Sequence, residues 1–135
     1  MLSNDNIKIL VADDTGAMRS IIRAVLQDMG FSKIALVENG SVGIKKAKAI
    51  KFHLIISDWD MPEMSGLEFL KEVRADETIK DTPFLMLTAN TDRKKVVEAV
   101  VAHVTDYITK PILPDALKEK VAHMLKKHYP DANLH

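Results

Sequence analysis

The chain has 135 residues, of which 47% are hydrophobic and 28% charged. That length and apolar content suit one ordinary domain with a real core and exclude a disordered chain. Lys plus Arg and Asp plus Glu both number 19, so overall charge points to neither nucleic acid nor an anionic membrane as partner. Cysteine is absent, which removes disulfides and thiolate-bound metal. Met1 to Asn6 shows no basic segment followed by an apolar one, and no apolar run approaches the roughly 20 residues of a membrane helix. A cytoplasmic location is expected.

Lys8-Ile9-Leu10-Val11-Ala12 is an unbroken apolar run stopped by Asp13-Asp14, the pattern of a strand buried on both faces. From Gly16 to Met29 the period changes to three and four (Met18, Ile21, Ile22, Val25, Leu26, Met29), which predicts an amphipathic helix with Gly30 as its stop. A second strand covers 33–37 and runs into Glu38-Asn39-Gly40, and a weaker helix covers about 41–50, interrupted by Gly43. Leu54-Ile55-Ile56-Ser57-Asp58 is a third strand, with Pro62 soon forbidding regular structure. A helix over 66–74 turns Leu67, Leu70 and Val73 inward. A fourth strand, 84–88, ends at Thr88, and a fourth helix runs from Arg93 to about Val104. Its valines at 96, 97, 100, 101 and 104 make a face wider than core packing needs. A short fifth strand, 107–109, ends in Lys110-Pro111. Pro114 opens a last helix with Leu117, Val121, Met124 and Leu125 inward, and the tail from Tyr129 to His135 reads as frayed.

Strand and helix therefore alternate with short connections, which implies a doubly wound α/β fold: a five-stranded parallel sheet with helices on both faces. The strand order is taken over from the flavodoxin-like arrangement 2-1-3-4-5, since spacing alone does not fix it. In such sheets ligands sit beyond the carboxyl ends of the strands, where the order reverses. Asp13, Asp14 and Asp58 would meet in that crevice, with Thr88 and Lys110 opposite. A like-charge pair at about 4 Å costs on the order of 4 kcal/mol at an effective dielectric near 20. Either one carboxyl is protonated or a cation neutralises the group. Few, hard oxygen ligands in an open cleft suit Mg2+, and an acid, a metal, a hydroxyl and an ammonium together suit phosphoryl transfer to aspartate.

On these residues the chain resembles the receiver domain of bacterial response regulators, in particular the single-domain CheY-like group. The resemblance rests on Asp13-Asp14, the stretch Ile56 to Gly66 containing Ser57-Asp58-Trp59-Asp60-Met61-Pro62, then Thr88-Ala89, Tyr107 and Lys110-Pro111, and it spans about 7–126. It implies a single receiver domain over 1–135, with its core at about 7–127 and no output domain. It further implies that Asp58 accepts a phosphoryl group from a histidine kinase. Mg2+ would be held by Asp14, Asp58 and the main-chain carbonyl of Asp60, with Asp13 acting through water. Lys110, before an expected cis Pro111, would bridge to the phosphoryl group, and Thr88 and Tyr107 would form a switch pair. Output is expected through the face of the fourth helix, fifth strand and fifth helix, carrying Thr91, Arg93, Val96, Val100, Tyr107, Thr109 and Lys120. The downstream partner would be a protein such as the flagellar motor switch in chemotaxis. A monomer that is no enzyme beyond handling its own phosphoryl group is expected, without nucleic-acid or membrane partners.

Three positions bear on how this chain compares with the pattern. Asp60 stands where close relatives carry Asn, Asn90 holds a second position at which the family tunes dephosphorylation, and His103 replaces a usual Gly, which is expected to force a different helix stop. Asp92 and Thr109 also differ from the lysine and valine of chemotaxis relatives. Trp59 reads either as packing or as an indole near solvent that would report on the site, and His53, His123, His128 and His135 are expected in surface or packing roles without convincing partners. Rival readings are a phosphorelay shuttle, a haloacid-dehalogenase-type phosphatase suggested by Asp58-x-Asp60, and a flavin carrier, whose phosphate the carboxylates would repel.

Overall fold

The computed structural model describes residues 1–89 and 93–135. Its elements are β1 (Lys8–Ala12), α1 (Gly16–Asp28), β2 (Lys33–Val37), α2 (Gly40–Ala49), β3 (Leu54–Asp58), α3 (Gly66–Ala75), β4 (Phe84–Thr88), α4 (Arg93–Val101), β5 (Asp106–Thr109) and α5 (Pro114–His128). The five strands are parallel in the order β2-β1-β3-β4-β5, as expected. Strands β3 and β4 are buried throughout, which explains their unbroken apolar runs. Alternate side chains of the strands still go to opposite faces. Ile9, Val11, Leu54, Ile56, Leu85 and Leu87 pack with α1 and α5 residues such as Ile22, Leu26, Leu117 and Val121. Leu10, Ile55, Phe84 and Met86 pack with Ile44, Phe69, Leu70 and Val73 of α2 and α3.

Local chemistry sets the helix ends. Thr15 caps α1 by accepting from the Met18 N–H, Asn39 caps α2 by accepting from Val42, and Ser65 with Glu68 forms a reciprocal capping box on α3. Gly30 closes α1 at φ 95°, where a side chain would be strained. Gly66 is required for a different reason. A Cβ there would lie 2.1 Å from the Asp58 carbonyl oxygen, so only glycine lets α3 start against the end of β3.

Several local expectations change. Helix α4 ends at Val101, and His103 takes φ 63°, so the usual left-handed stop is kept. The N–H of His103 bonds the Val100 carbonyl and that of Val104 the Ala99 carbonyl, a Schellman closure made by histidine instead of glycine. Arg74 supports it, donating to the carbonyls of His103 (2.9 Å), Lys80 (2.9 Å) and Thr82 (2.6 Å) and to the Thr105 hydroxyl. Ile21 is exposed, as are Val97, Val100 and Val101, and Ala99 is the one buried residue of α4. Of the two readings of Trp59, packing holds: it is 7% exposed and belongs to the core.

The tail is not frayed either. Tyr129 donates to the His53 carbonyl at 3.0 Å, the Asn133 N–H to the Leu2 carbonyl at 2.7 Å, and Asn4 exchanges bonds with both backbone groups of His135. His53 is thus partnered. Its Nδ1 accepts the Lys8 N–H at 2.9 Å and its ring meets that of Tyr129 edge-on.

His103→Gly removes the left-handed strain and should raise unfolding free energy by about 0.5–1 kcal/mol after the added flexibility of glycine, read from urea denaturation; no gain means that histidine adopts this conformation at little cost. Burial, then the charges of Lys51 and Lys8, holds the His53 pKa below its ordinary 6.5. The unfolded chain then binds the proton more readily, so this contribution is present above about 6.5 and lost as pH falls through the lower folded value. Unfolding followed between about pH 7.5 and 5 should show that loss, and His53→Gln should flatten it.

Candidate functional site

Strand register assembles the site. Ala12 pairs with Ser57 and Asp58 with Leu87, so Asp13 and Asp58 leave neighbouring strands side by side. Thr88 pairs with Thr109 and accepts the Lys110 N–H through its carbonyl at 2.8 Å. One row at the carboxyl edge therefore carries Asp13, Asp58, Thr88 and Lys110. The sheet order puts the reversal between β1 and β3, which is where the acids lie.

Carboxylate oxygens of Asp13, Asp14 and Asp58 lie within 4.8 Å of one another. Asp13 is 1% and Asp58 4% exposed, while Asp14 is open to solvent. Lys110 places its Nζ 3.0 Å from Asp58 Oδ1, and the peptide bond from Lys110 to Pro111 is cis. Burial pushes the Asp58 carboxyl above its ordinary range. The Lys110 hydrogen bond and charge pull it back, Asp13 pushes it up again, and the Trp59 N–H lowers it.

Asp13 is fixed more firmly than its sequence context suggested. Its Oδ1 accepts from the N–H (3.0 Å) and hydroxyl (3.1 Å) of Thr15, and its carbonyl accepts from Arg19 at 2.7 Å. The Asp-x-Thr spacing is a turn signal that could have revealed the first two bonds. The other oxygen, Oδ2, is buried with no hydrogen-bond partner, alone in this among the described side chains. A buried anionic oxygen without a partner is costly, and here it sits among two more carboxylates. The donor set fits a small, hard divalent cation completed by water.

The remaining candidates divide. Thr88 is buried at the end of β4. Tyr107 is 37% exposed on β5. The Asp60 carboxylate stands outside the acid cluster and faces Lys95, whose Nζ is 3.9 Å away, so it adds no fourth acid to the group. Arg93, Val100 and Thr109 are exposed, Val96 is half-buried, and Lys120 is tied to Asp106 at 3.0 Å. Thr91, with Asn90 and Asp92, lies outside the described residues. Thr15, Arg19 and Lys95 are site residues that the sequence pattern did not single out.

A doubly wound parallel sheet that gathers three acids and a lysine at its switch point defines an α/β domain built to hold a cation beside a reactive carboxylate. The model of the response regulator receiver domain matches residues 9–122, and the chain belongs to that family. It is 41% identical over 118 residues to the chemotaxis protein CheY-3 of Vibrio cholerae, covering 87% of this chain and 91% of that one. It is 38% identical over 120 residues to the chemotaxis protein CheY of Pseudomonas aeruginosa, covering 89% and 97%. Among solved structures, Vibrio cholerae CheY4 superposes with a TM-score of 0.83 at 35% identity, covering 88% of this chain and 98% of the other. The receiver domain of a Pseudomonas aeruginosa sensor histidine kinase, determined with magnesium in its active-site cleft, gives 0.81 at 25% identity over 88% and 97%. The chain is a CheY-like receiver domain, a phosphorylation-activated switch of two-component signalling and not a classical enzyme. Among the described residues no helix is long and apolar enough to cross a membrane.

The raised Asp58 pKa means that ionisation of this carboxyl disfavours the fold. Its favourable contribution is complete below the ordinary carboxyl range and is lost as pH rises through the raised value. In chelator near neutral pH, Asp58→Asn should therefore unfold at a higher temperature than wild type, with the gain shrinking in acid. Lower stability of the variant would show that the Lys110 pair outweighs burial. Mg2+ at about 100 times its Kd should add about 2.7 kcal/mol to wild type and much less to the variant.

Proposed function

We propose that Asp58 is the phosphoacceptor and that a histidine kinase supplies the phosphoryl group. An Asp58 oxygen attacks the phosphorus of a phosphohistidine; a P–O bond forms as the P–N bond breaks. The electron pair leaves on the imidazole nitrogen, which then takes up a proton. The observation that carries this reading is a buried carboxylate held 3.0 Å from Lys110 beside a partnerless Asp13 oxygen. When bound, Mg2+ would supply charge neutralisation for the phosphoryl oxygens. Asp14, Asp58 and the main-chain carbonyl of Asp60 would hold it, with Asp13, whose Oδ2 is buried without a partner, supporting the site. Lys110 balances the charge of the transferred group and Thr88 donates to one of its oxygens.

The added charge, about −1.5 to −2, biases the Thr88–Tyr107 pair and so the face formed by α4, β5 and α5. Tyr107 is 37% exposed, so an inward turn of its ring would change this surface, and Val97, Val100, Val101 and Leu113 offer apolar contact area there. The names of the relatives, both chemotaxis proteins, favour a chemotaxis output over a phosphorelay shuttle, and the downstream partner in this reading is a flagellar motor switch protein. We take residues 1–135 as one receiver unit. A haloacid-dehalogenase-type phosphatase is disfavoured because the Asp60 carboxylate faces Lys95 and not the acid cluster.

With Mg2+ and acetyl phosphate, wild type should form an acyl phosphate visible by phosphorus NMR, and Asp58→Asn should form none. Lys110→Ala should keep Mg2+ binding but lose the response of Tyr107 and α4 resonances to the donor. Phosphorylation of Asp58→Asn at the wild-type level would remove Asp58 as acceptor, and an intact response in Lys110→Ala would remove the lysine from the switch.

A further inference from the structure

Lys95 sits in the first half of α4 and reaches two residues of the loop between β3 and α3. Its Nζ is 3.9 Å from Asp60 Oδ1 and 5.4 Å from the centre of the Trp59 ring. The indole itself is core material, so its outer face gives the ammonium a fixed seat. The Asp60 side chain is 71% exposed and that of Lys95 only 32%. The lysine is therefore the more enclosed partner of the pair and the carboxylate the more exposed one. An exposed ion pair alone is weak; the ring makes this one directional.

We propose that Lys95 is a positioning residue for the Asp60 carboxylate, drawing it towards α4 and keeping it out of the acid cluster. The proposal rests on the cation-binding role of that cluster given above. Asp60 follows Asp58 by two residues in a loop, so without a counter-charge its side chain is within reach of a cation beside Asp58. There it would add a ligand and a negative charge to Asp13, Asp14 and Asp58, and a cation would bind more tightly. With Lys95 present, cation and ammonium compete for one carboxylate. The same contact makes α4 sensitive to cleft occupancy, because Ala99 is the one residue of that helix fully in the core.

The test is a double-mutant cycle on Mg2+ affinity, measured by calorimetry on the full chain without a phosphodonor. Asp60→Asn should change Kd less than about twofold when Lys95 is present, because the carboxylate is held aside. In the Lys95→Gln background the same substitution should weaken binding by about fivefold or more. Lys95→Gln alone should tighten binding, and Lys95→Arg, which keeps charge and ring contact, should behave as wild type. Equal effects of Asp60→Asn in both backgrounds would overturn the proposal, since Lys95 would then act by net charge only. A wild type that binds no Mg2+ would instead remove the cation-site reading and the proposal with it.

Discussion

Burying a carboxylate beside two others is the constraint around which this domain is arranged. Asp58 lies at 4% exposure with Asp13 beside it at 1%, and neither would be tolerated without opposing charge. The counter-charge comes from β5, two strands away in the sheet, through Lys110. The acid pair therefore depends on the register of all four strands from β1 to β5, and that register depends on the interleaved apolar layers beneath. Gly66 belongs to the same requirement. Its missing Cβ lets α3 start against the Asp58 carbonyl, so the loop carrying Trp59 and Asp60 can turn away at once.

The two ends of the sheet are built differently. At the amino end, Arg74 gathers three carbonyls, Tyr129 pins the His53 backbone, and Asn4 ties the final residue to the end of α1. These neutral or well-matched bonds satisfy backbone groups that would otherwise be left without partners. At the carboxyl end, a buried oxygen of Asp13 has no partner and Asp58 is pushed towards protonation. Stability is concentrated away from the site, and local frustration at it, which is the distribution expected where a bound cation and a covalent charge are to alter the structure.

Most of the frame was legible in the sequence, because it rests on periodicity. Runs such as Leu54 to Ile56 and the spacing of Leu117, Val121, Met124 and Leu125 read directly into buried strand and amphipathic helix. The acids and Lys110 were legible because each closes an apolar run, and parallel topology converts strand ends into neighbours. Contacts between elements distant in sequence were not legible. Nothing near Tyr129 announces His53, and nothing near Asp60 announces Lys95; both pairings arise only when the sheet is wound. Packing and a solvent-near position both stayed open for Trp59 because its neighbours Asp58 and Asp60 are polar, and the fold decides for packing by setting the indole in the core layer with α2 and α3 residues. His103 was misjudged because glycine is favoured, not required, at a left-handed stop; histidine is among the residues that tolerate it.

Helix α4 is where these threads meet. Its valines at 97, 100 and 101 face solvent, so the hydrophobic effect gives it little grip on the sheet. Its far end is held by the His103 closure and Arg74, and its near half by Lys95 on Trp59 and Asp60. An element held by polar contacts at both ends and by one buried alanine between them can shift at small cost when a charge changes nearby. The width of its apolar face, puzzling in a helix meant only for the core, then has a physical reason. The face that could anchor α4 is left outward, available to another surface, while its position is left to electrostatics.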